Sequence, residues 1–279
     1  MPRLIDSHCH LHFPAYDEDR EAVLSRLKET DTWAVTVGTT LGTSKGAVAF
    51  AEATDGVWAT VGYHPEHFTS AYHDEAEGDA GEYSIEEIAK VARSSKKVVA
   101  IGETGLDFYR IDEGRNRDEA IAQQEKGFRE HIALAKELNL PVVIHCREAL
   151  ARLAEIVRAE KEKGWNGRAV VHCYTGTWEE AQPLLDLGLY LSFTGIITFP
   201  PKKTDDPERH VHRVIERMPI DRILVETDAP WLTPVPFRGK RNEPSYVQYV
   251  AEQIAMLRNV TVGEIAEQTT ENARKLFGI

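Results

Sequence analysis

The chain has 279 residues, of which 42% are hydrophobic, and carries a formal net charge of −12. That apolar share can bury a sizeable core and excludes disorder over most of the length, while the acidic balance excludes a protein that coats nucleic acid non-specifically. No apolar run nears the roughly 18–20 residues of a membrane span, and the length suits one (β/α) barrel or two modest domains.

Met1-Pro2-Arg3 leads at once into Leu4-Ile5, the first strand-like run, which leaves no room for a signal peptide and sets the expectation of a cytoplasmic protein. Asp17 to Lys28 sets Ala22, Leu24 and Leu27 among charges, an amphipathic helix pattern. Trp33 to Val37 reads as a strand and Gly38 to Gly46 as a Gly-, Ser- and Thr-rich turn. A helix follows over Ala47 to Ala53, then a strand over Val57 to Gly62 that ends at His64-Pro65. The acidic, Gly-containing stretch Thr69 to Tyr83 reads as a solvated loop. Glu86 to Arg93 is helical, Val98 to Gly102 is a strand, and Glu119 to Leu138 is a long amphipathic helix ending near Asn139 before Pro141.

Val142 to Ile144, Ala169 to Val171, Leu189 to Phe193 and Ile223 to Val225 complete the strands, with helical segments between them. Two further loops, Phe199 to Pro207 and Ala229 to Pro244, each follow a strand; the second holds Arg238-Gly239-Lys240-Arg241. About eight apolar strands alternating with helices give the arithmetic of a single (β/α)8 TIM-type barrel. No repeat, low-complexity tract or flexible linker interrupts it, so one domain over residues 1–279 is expected, with its chemistry at the C-terminal ends of the strands.

Those ends are where the metal-competent side chains fall. His8 and His10 share one face of the first strand by its period of two. Glu103 follows the Val98 run between glycines, where a carboxylate is costly to desolvate unless it is paired or metal-bound. His145 and His172 close two further apolar runs, and Asp228 closes the last. Four imidazoles and two carboxylates converging on one face make a site for one or two divalent metals. Glu226 shares a strand face with Asp228 and is expected to orient a ligand histidine. His12 reads as support or as a satisfied structural histidine. Cys9, Cys146 and Cys173 each follow a candidate ligand and are expected to face away from the site as small fillers. Their odd number excludes a closed disulfide framework.

Taken together, the segments Asp6-Ser7-His8-Cys9-His10-Leu11, Gly62-Tyr63-His64-Pro65, Gly102-Glu103-Thr104-Gly105-Leu106-Asp107, Pro141-Val142-Val143-Ile144-His145-Cys146-Arg147, His172-Cys173-Tyr174-Thr175-Gly176 and Glu226-Thr227-Asp228-Ala229-Pro230-Trp231-Leu232 resemble, in order, those of the TatD family of metal-dependent hydrolases. Arg238 to Pro244 and Thr270-Glu271-Asn272-Ala273 extend the resemblance over nearly the whole chain. It implies a metal-dependent barrel with DNase activity and two metal positions. One would be held by His8, His10, Glu103 and Asp228, the other by Glu103, His145 and His172, with Glu103 in the bridging place.

The expected reaction is then phosphodiester hydrolysis with 3′→5′ exonuclease action on single-stranded DNA ends. Asp228 would serve as general base and Glu103 as the bridge. His64 would contact the scissile phosphate or assist the leaving group, and Arg110, Arg147, Arg238 and Arg241 would hold neighbouring phosphates. Tyr109, Trp231 and Phe237 are candidates to stack an unpaired base. The two ions are expected to be Zn, Mn or Mg, and imidazole ligands favour the transition metals over Mg. The expected partner is a nucleic acid substrate, with no membrane and no obligate protein partner. A small-molecule amidohydrolase, lactonase or esterase could use the same centre, and a non-catalytic metal-binding protein is the reading from outside enzymology.

Overall fold

The computed structural model describes residues 3–69, 81–111, 114–201 and 206–279. Its eight strands form one sheet in sequential order, with helices in the connections, the (β/α)8 barrel arrangement. They are β1 (Leu4–Cys9), β2 (Thr32–Val37), β3 (Val57–Val61), β4 (Val98–Asp107), β5 (Val142–Arg147), β6 (Ala169–Val171), β7 (Tyr190–Phe193) and β8 (Ile223–Val225). No helix among the described residues is long and apolar enough to cross a membrane.

The described chain divides into two compact units. One comprises Met1–Leu11, Ala15–Val35 and His172–Ile279. It holds β1, β7 and β8 with helices α1 (Arg20–Glu29), α7 (Trp178–Asp186), α8 (Val211–Arg217), α9 (Val247–Arg258) and α10 (Val262–Phe277). The α10 helix starts at a reciprocal cap between Thr261 and Glu264 and buries Ile265, Thr269, Ala273 and Leu276, a stripe one helical face wide. Leu191 pairs with Ile223 and Phe193 with Val225 in the parallel β7–β8 ladder.

The other unit comprises His12–Pro14 and Thr36–Val171. It holds β3 to β6 with α2 (Leu41–Ala53), α3 (Glu66–Thr69), α4 (Ile85–Ser94), α5 (Arg117–Leu138) and α6 (Leu150–Glu162). The α5 helix is capped at its start by the Asn116 side chain and at its end by Asn139 in the left-handed region. Between them it buries Ala120, Gln124, Phe128, His131, Ile132 and Ala135 on one face.

Several element boundaries differ from the sequence expectation, and a few of them bear on the site. The Gly38–Gly46 turn gives way early to helix: Thr40 caps α2 and exchanges side-chain and backbone bonds with Thr43, so the helix begins at Leu41 and not at Ala47. The β4 strand runs on to Asp107 and β5 to Arg147, so Glu103 and His145 lie inside strands, not just beyond them. The expected loop over Thr69 to Tyr83 begins with a residue of helix α3, buried Thr69, and its stretch 70–80 lies outside the described residues. Of the Phe199 to Pro207 loop, residues 202–205 lie outside them too.

Candidate metal centre

In the first unit, the main chain brings the donors together. The Asp228 N–H donates to the His8 carbonyl (2.8 Å) and the His10 N–H to the Ala229 carbonyl (2.8 Å), a parallel bridge between Cys9 and Ala229 just past the end of β8. Asp228 takes a φ of 55°, a left-handed conformation that aspartate adopts more readily than most residues. Its Oδ1 then lies 3.5 Å from His10 Nε2 and 3.7 Å from His8 Nε2. The His172 ring stacks on His8 at 4.1 Å between centroids.

Two buried carboxylates brace this group. Glu226 Oε1 accepts the Cys173 N–H (2.7 Å) and lies 3.5 Å from His172 Nδ1, while its Oε2 accepts the Ser192 hydroxyl (2.5 Å). Asp6 accepts the Thr227 N–H (2.9 Å) and hydroxyl (2.6 Å) and the His8 N–H (3.2 Å), and burial pushes its pKa well above the ordinary carboxylate range. Burial acts in the same direction on Asp228, but a hydrogen bond from His10 and the fields of His8 and His172 outweigh it and hold that carboxyl below its usual range.

In the second unit the donors stand in the ladder itself. Gly105 of β4 pairs with His145 of β5, and the register shifts between Ile101 and Thr104, the irregularity that carries Glu103. Gly105 has no substitute: a Cβ there would stand 2.1 Å from the His145 carbonyl oxygen, and its φ is 142°. Glu103 Oε1 lies 3.1 Å from His145 Nδ1 and 3.3 Å from His64 Nε2. On the far side of the imidazole, His145 Nε2 lies 3.1 Å from Asp107 Oδ2. Burial would raise the Asp107 pKa, yet the hydrogen bond and field of His145 bring it down to about 2.

Both donor sets suit a divalent ion. Ligands about 2.0–2.2 Å from a tetrahedral ion lie about 3.4 Å from one another. The separations of 3.5 and 3.7 Å in the first set and 3.1 and 3.3 Å in the second fit such an edge. Each trio, His8 with His10 and Asp228 and His64 with Glu103 and His145, keeps all its ligand atoms within 4.8 Å of one another. The donors are the imidazole nitrogens and carboxylate oxygens that zinc and manganese take.

The four arginines are divided in their engagements. Arg110 Nη1 donates to both carboxylate oxygens of Glu66, each at 2.8 Å. Arg241 donates to Asp19 and to the Ala15 carbonyl, both at 2.6 Å, and lies over the Tyr16 ring. Exposed Arg147 lies over Tyr109 at 3.7 Å and exposed Arg238 over Phe199 at 4.3 Å. Of the aromatic candidates, Tyr109 is 57% exposed, Trp231 stands edge-on to His10, and Phe237 stacks on Tyr246. His12 Nδ1 is 2.8 Å from the Thr36 hydroxyl, in keeping with a structural histidine. None of the three cysteines is in a disulfide, and the Cys9 thiol donates to the Val35 carbonyl.

Sequence reasoning expected Glu226 to orient a ligand histidine, and the structure puts it beside His172; it missed Asp6, Asp107 and Gln124. Gln124, on α5, accepts the Asp107 N–H and donates to the Asp107 carbonyl, both at 2.8 Å. The signals were a carboxylate two residues before His8, and a polar residue on the apolar stripe of α5.

The model of the TatD-related DNase family matches residues 5–278. The uncharacterized metal-dependent hydrolase YabD of Bacillus subtilis is 42% identical over 99% of this chain and 99% of its own. A protein of Pantoea ananatis named 3′-5′ ssDNA/RNA exonuclease TatD is 37% identical over 99% of this chain and all of its own. Among solved structures, the Escherichia coli TatD homolog YJJV superposes with a TM-score of 0.82 at 29% identity, covering 99% of this chain and 98% of that one.

Proposed function

The chain belongs to the TatD-related DNase family of metal-dependent hydrolases, and from that premise we propose that it removes nucleotides from the 3′ ends of single-stranded DNA. The observation that carries the reading is the pair of donor sets at His8, His10, Asp228 and at His64, Glu103, His145. The name of the Pantoea ananatis relative supplies the substrate class. We assign two divalent ions to the chain, one to His8, His10, Glu103 and Asp228 and the other to Glu103, His145 and His172. The shared role of Glu103, and the choice of His172 over His64 as the third ligand of the second ion, rest on the family resemblance. When bound, such ions act as Lewis acids that neutralise charge developing on the phosphoryl oxygens.

The chain's own residues supply the rest. Asp228, kept ionised by its histidine neighbours, is the proton acceptor. His64, held in place by the bond from its own N–H to the Thr39 carbonyl (2.8 Å), serves the scissile phosphate or the leaving oxygen. Arg147 and Arg238 are the first candidates to hold flanking phosphates. Arg110 and Arg241 would first have to exchange their carboxylate partners for substrate. Three cysteines outside any disulfide suit a reducing cytoplasm, where we place the protein.

The test is to incubate protein reconstituted with Mg²⁺, Mn²⁺ or Zn²⁺ with 3′- and 5′-labelled single-stranded DNA, with EDTA and Glu103→Ala as controls. A metal-dependent ladder that shortens from the 3′ end, absent in both controls, is the expected result. Intact DNA with all three metals, together with turnover of a lactone or N-acyl substrate, would overturn the nuclease reading and leave the metal ligands as assigned.

A further inference from the structure

Asp107 does more than fill a polar position beside His145. Its Oδ1 accepts the backbone N–H groups of Tyr109 (3.0 Å) and Arg110 (2.9 Å), and its Oδ2 faces His145 Nε2 at 3.1 Å. Its own backbone is clipped on both sides by Gln124, which accepts from the Asp107 N–H and donates to the Asp107 carbonyl, each at 2.8 Å. A second bond from Gln124 Nε2 to the Thr69 hydroxyl (2.9 Å) fixes the amide in turn. The carboxylate therefore has one placement, and both it and Gln124 are buried.

Both ring nitrogens face a carboxylate, Nδ1 that of Glu103 and Nε2 that of Asp107, and a carboxylate offers only acceptors. With an ion between Nδ1 and Glu103, the hydrogen of the neutral ring belongs on Nε2, facing Asp107. In neutral His145 that leaves Nδ1 bare, and Nδ1 is the atom 3.1 Å from Glu103 Oε1. Two acceptors at that separation repel in a buried site unless a cation lies between them. From this geometry we infer that Asp107 is the positioning residue for His145: it selects the Nε2–H tautomer and thereby aims the Nδ1 lone pair at the ion shared with Glu103. The inference rests on the reading of His145 as a metal ligand. It gives the second donor set the carboxylate–histidine–metal relay that sets ring orientation and ligand basicity.

The first measurement needs no metal. The ring ¹⁵N shifts of His145 in metal-free Glu103→Ala, which lacks the second carboxylate facing the ring, are assigned by comparison with the same variant carrying His145→Gln and report the tautomer that Asp107 selects. The expected state is Nε2–H; an Nδ1–H tautomer would overturn the inference. Next, wild type and Asp107→Asn are titrated with Zn²⁺ against a chelator. The variant amide cannot accept the two backbone N–H groups and the imidazole N–H as the carboxylate does. One of two Zn²⁺ ions should bind roughly 10–100-fold more weakly in the variant, with the other unchanged. Its His145 should also shift to a mixture of tautomers. Wild-type Zn²⁺ affinity at both positions in Asp107→Asn would overturn the role. If wild type itself binds no second Zn²⁺, the two-ion reading fails instead, and the tautomer still decides for or against Asp107.

Discussion

The two donor sets are held in place by different means. His8, His10 and Asp228 are aligned by main-chain bonds between β1 and the residues after β8, and Asp228 sits in a left-handed turn. Glu103 and His145 stand within a long ladder, where the chain direction is already fixed, and side chains do the final aiming: Asp107, with Gln124 behind it. A backbone-held set tolerates changes in surrounding side chains but depends on its turn. A side-chain-held set can be retuned by single substitutions without moving a strand.

Metal counting breaks or sharpens that contrast most forcefully. His10→Ala should cost one ion, His145→Ala the other, and Glu103→Ala both, as read by elemental analysis after dialysis. Retention of one full ion by Glu103→Ala would make the sets independent. Asp228→Asn should lower kcat by roughly 10²–10⁴-fold, and a rate near wild type would remove Asp228 from proton transfer. Chelation comes next. If each ion is present at 100–1,000 times its Kd, stripping it should cost about 3–4 kcal/mol of stability, seen as a lower urea midpoint in EDTA, and an unchanged midpoint would show that the ions do not stabilise the folded state.

Glycine substitutions compare the regions at smaller scale. Gly105→Ala drives a Cβ to 2.1 Å from a β5 carbonyl and should destabilise by about 3 kcal/mol or more. Gly239→Ala, at φ 88° with nothing within 4 Å, should cost about 1 kcal/mol of backbone strain alone. Equal losses in urea titrations would mean the ladder relaxes around the added carbon.

Acid separates the regions as well. Burial lowers the His131 pKa on α5 from 6.5 to about 4. Below pH 6.5 the unfolded chain binds a proton that the folded chain refuses until about pH 4. Stability is therefore complete above that window and falls through it as pH drops, by about 3 kcal/mol in all. His131→Gln should flatten this part of the pH profile, and the same slope in both proteins would clear His131 of the effect.

Much of this was legible in the sequence because apolar strand runs and histidine placement are local signals. His10 and His172 stand just past the last residue of a strand and Asp228 shortly after one, while His8, Glu103 and His145 lie inside theirs. The length of β4 was hidden because Gly102 and Gly105 read as breakers, whereas here they permit close approach to β5. The start of α2 was hidden because its cap pairs Thr40 with a second threonine in place of the usual acidic partner. Gln124 and Asp107 escaped because their partnership links a helix stripe to a strand, and no local pattern encodes it.

The first donor set also carries a consequence for synthesis. The bonds between Asp6 and Thr227 join residues 221 positions apart, while His145 and Glu103 are separated by 42. By loop-closure entropy alone the longer connection costs about 1.5 kcal/mol more. His8 and His10 are made more than two hundred residues before Asp228 and cannot meet it until then. A nascent chain that stops short of Asp228 thus carries a histidine pair without its carboxylate.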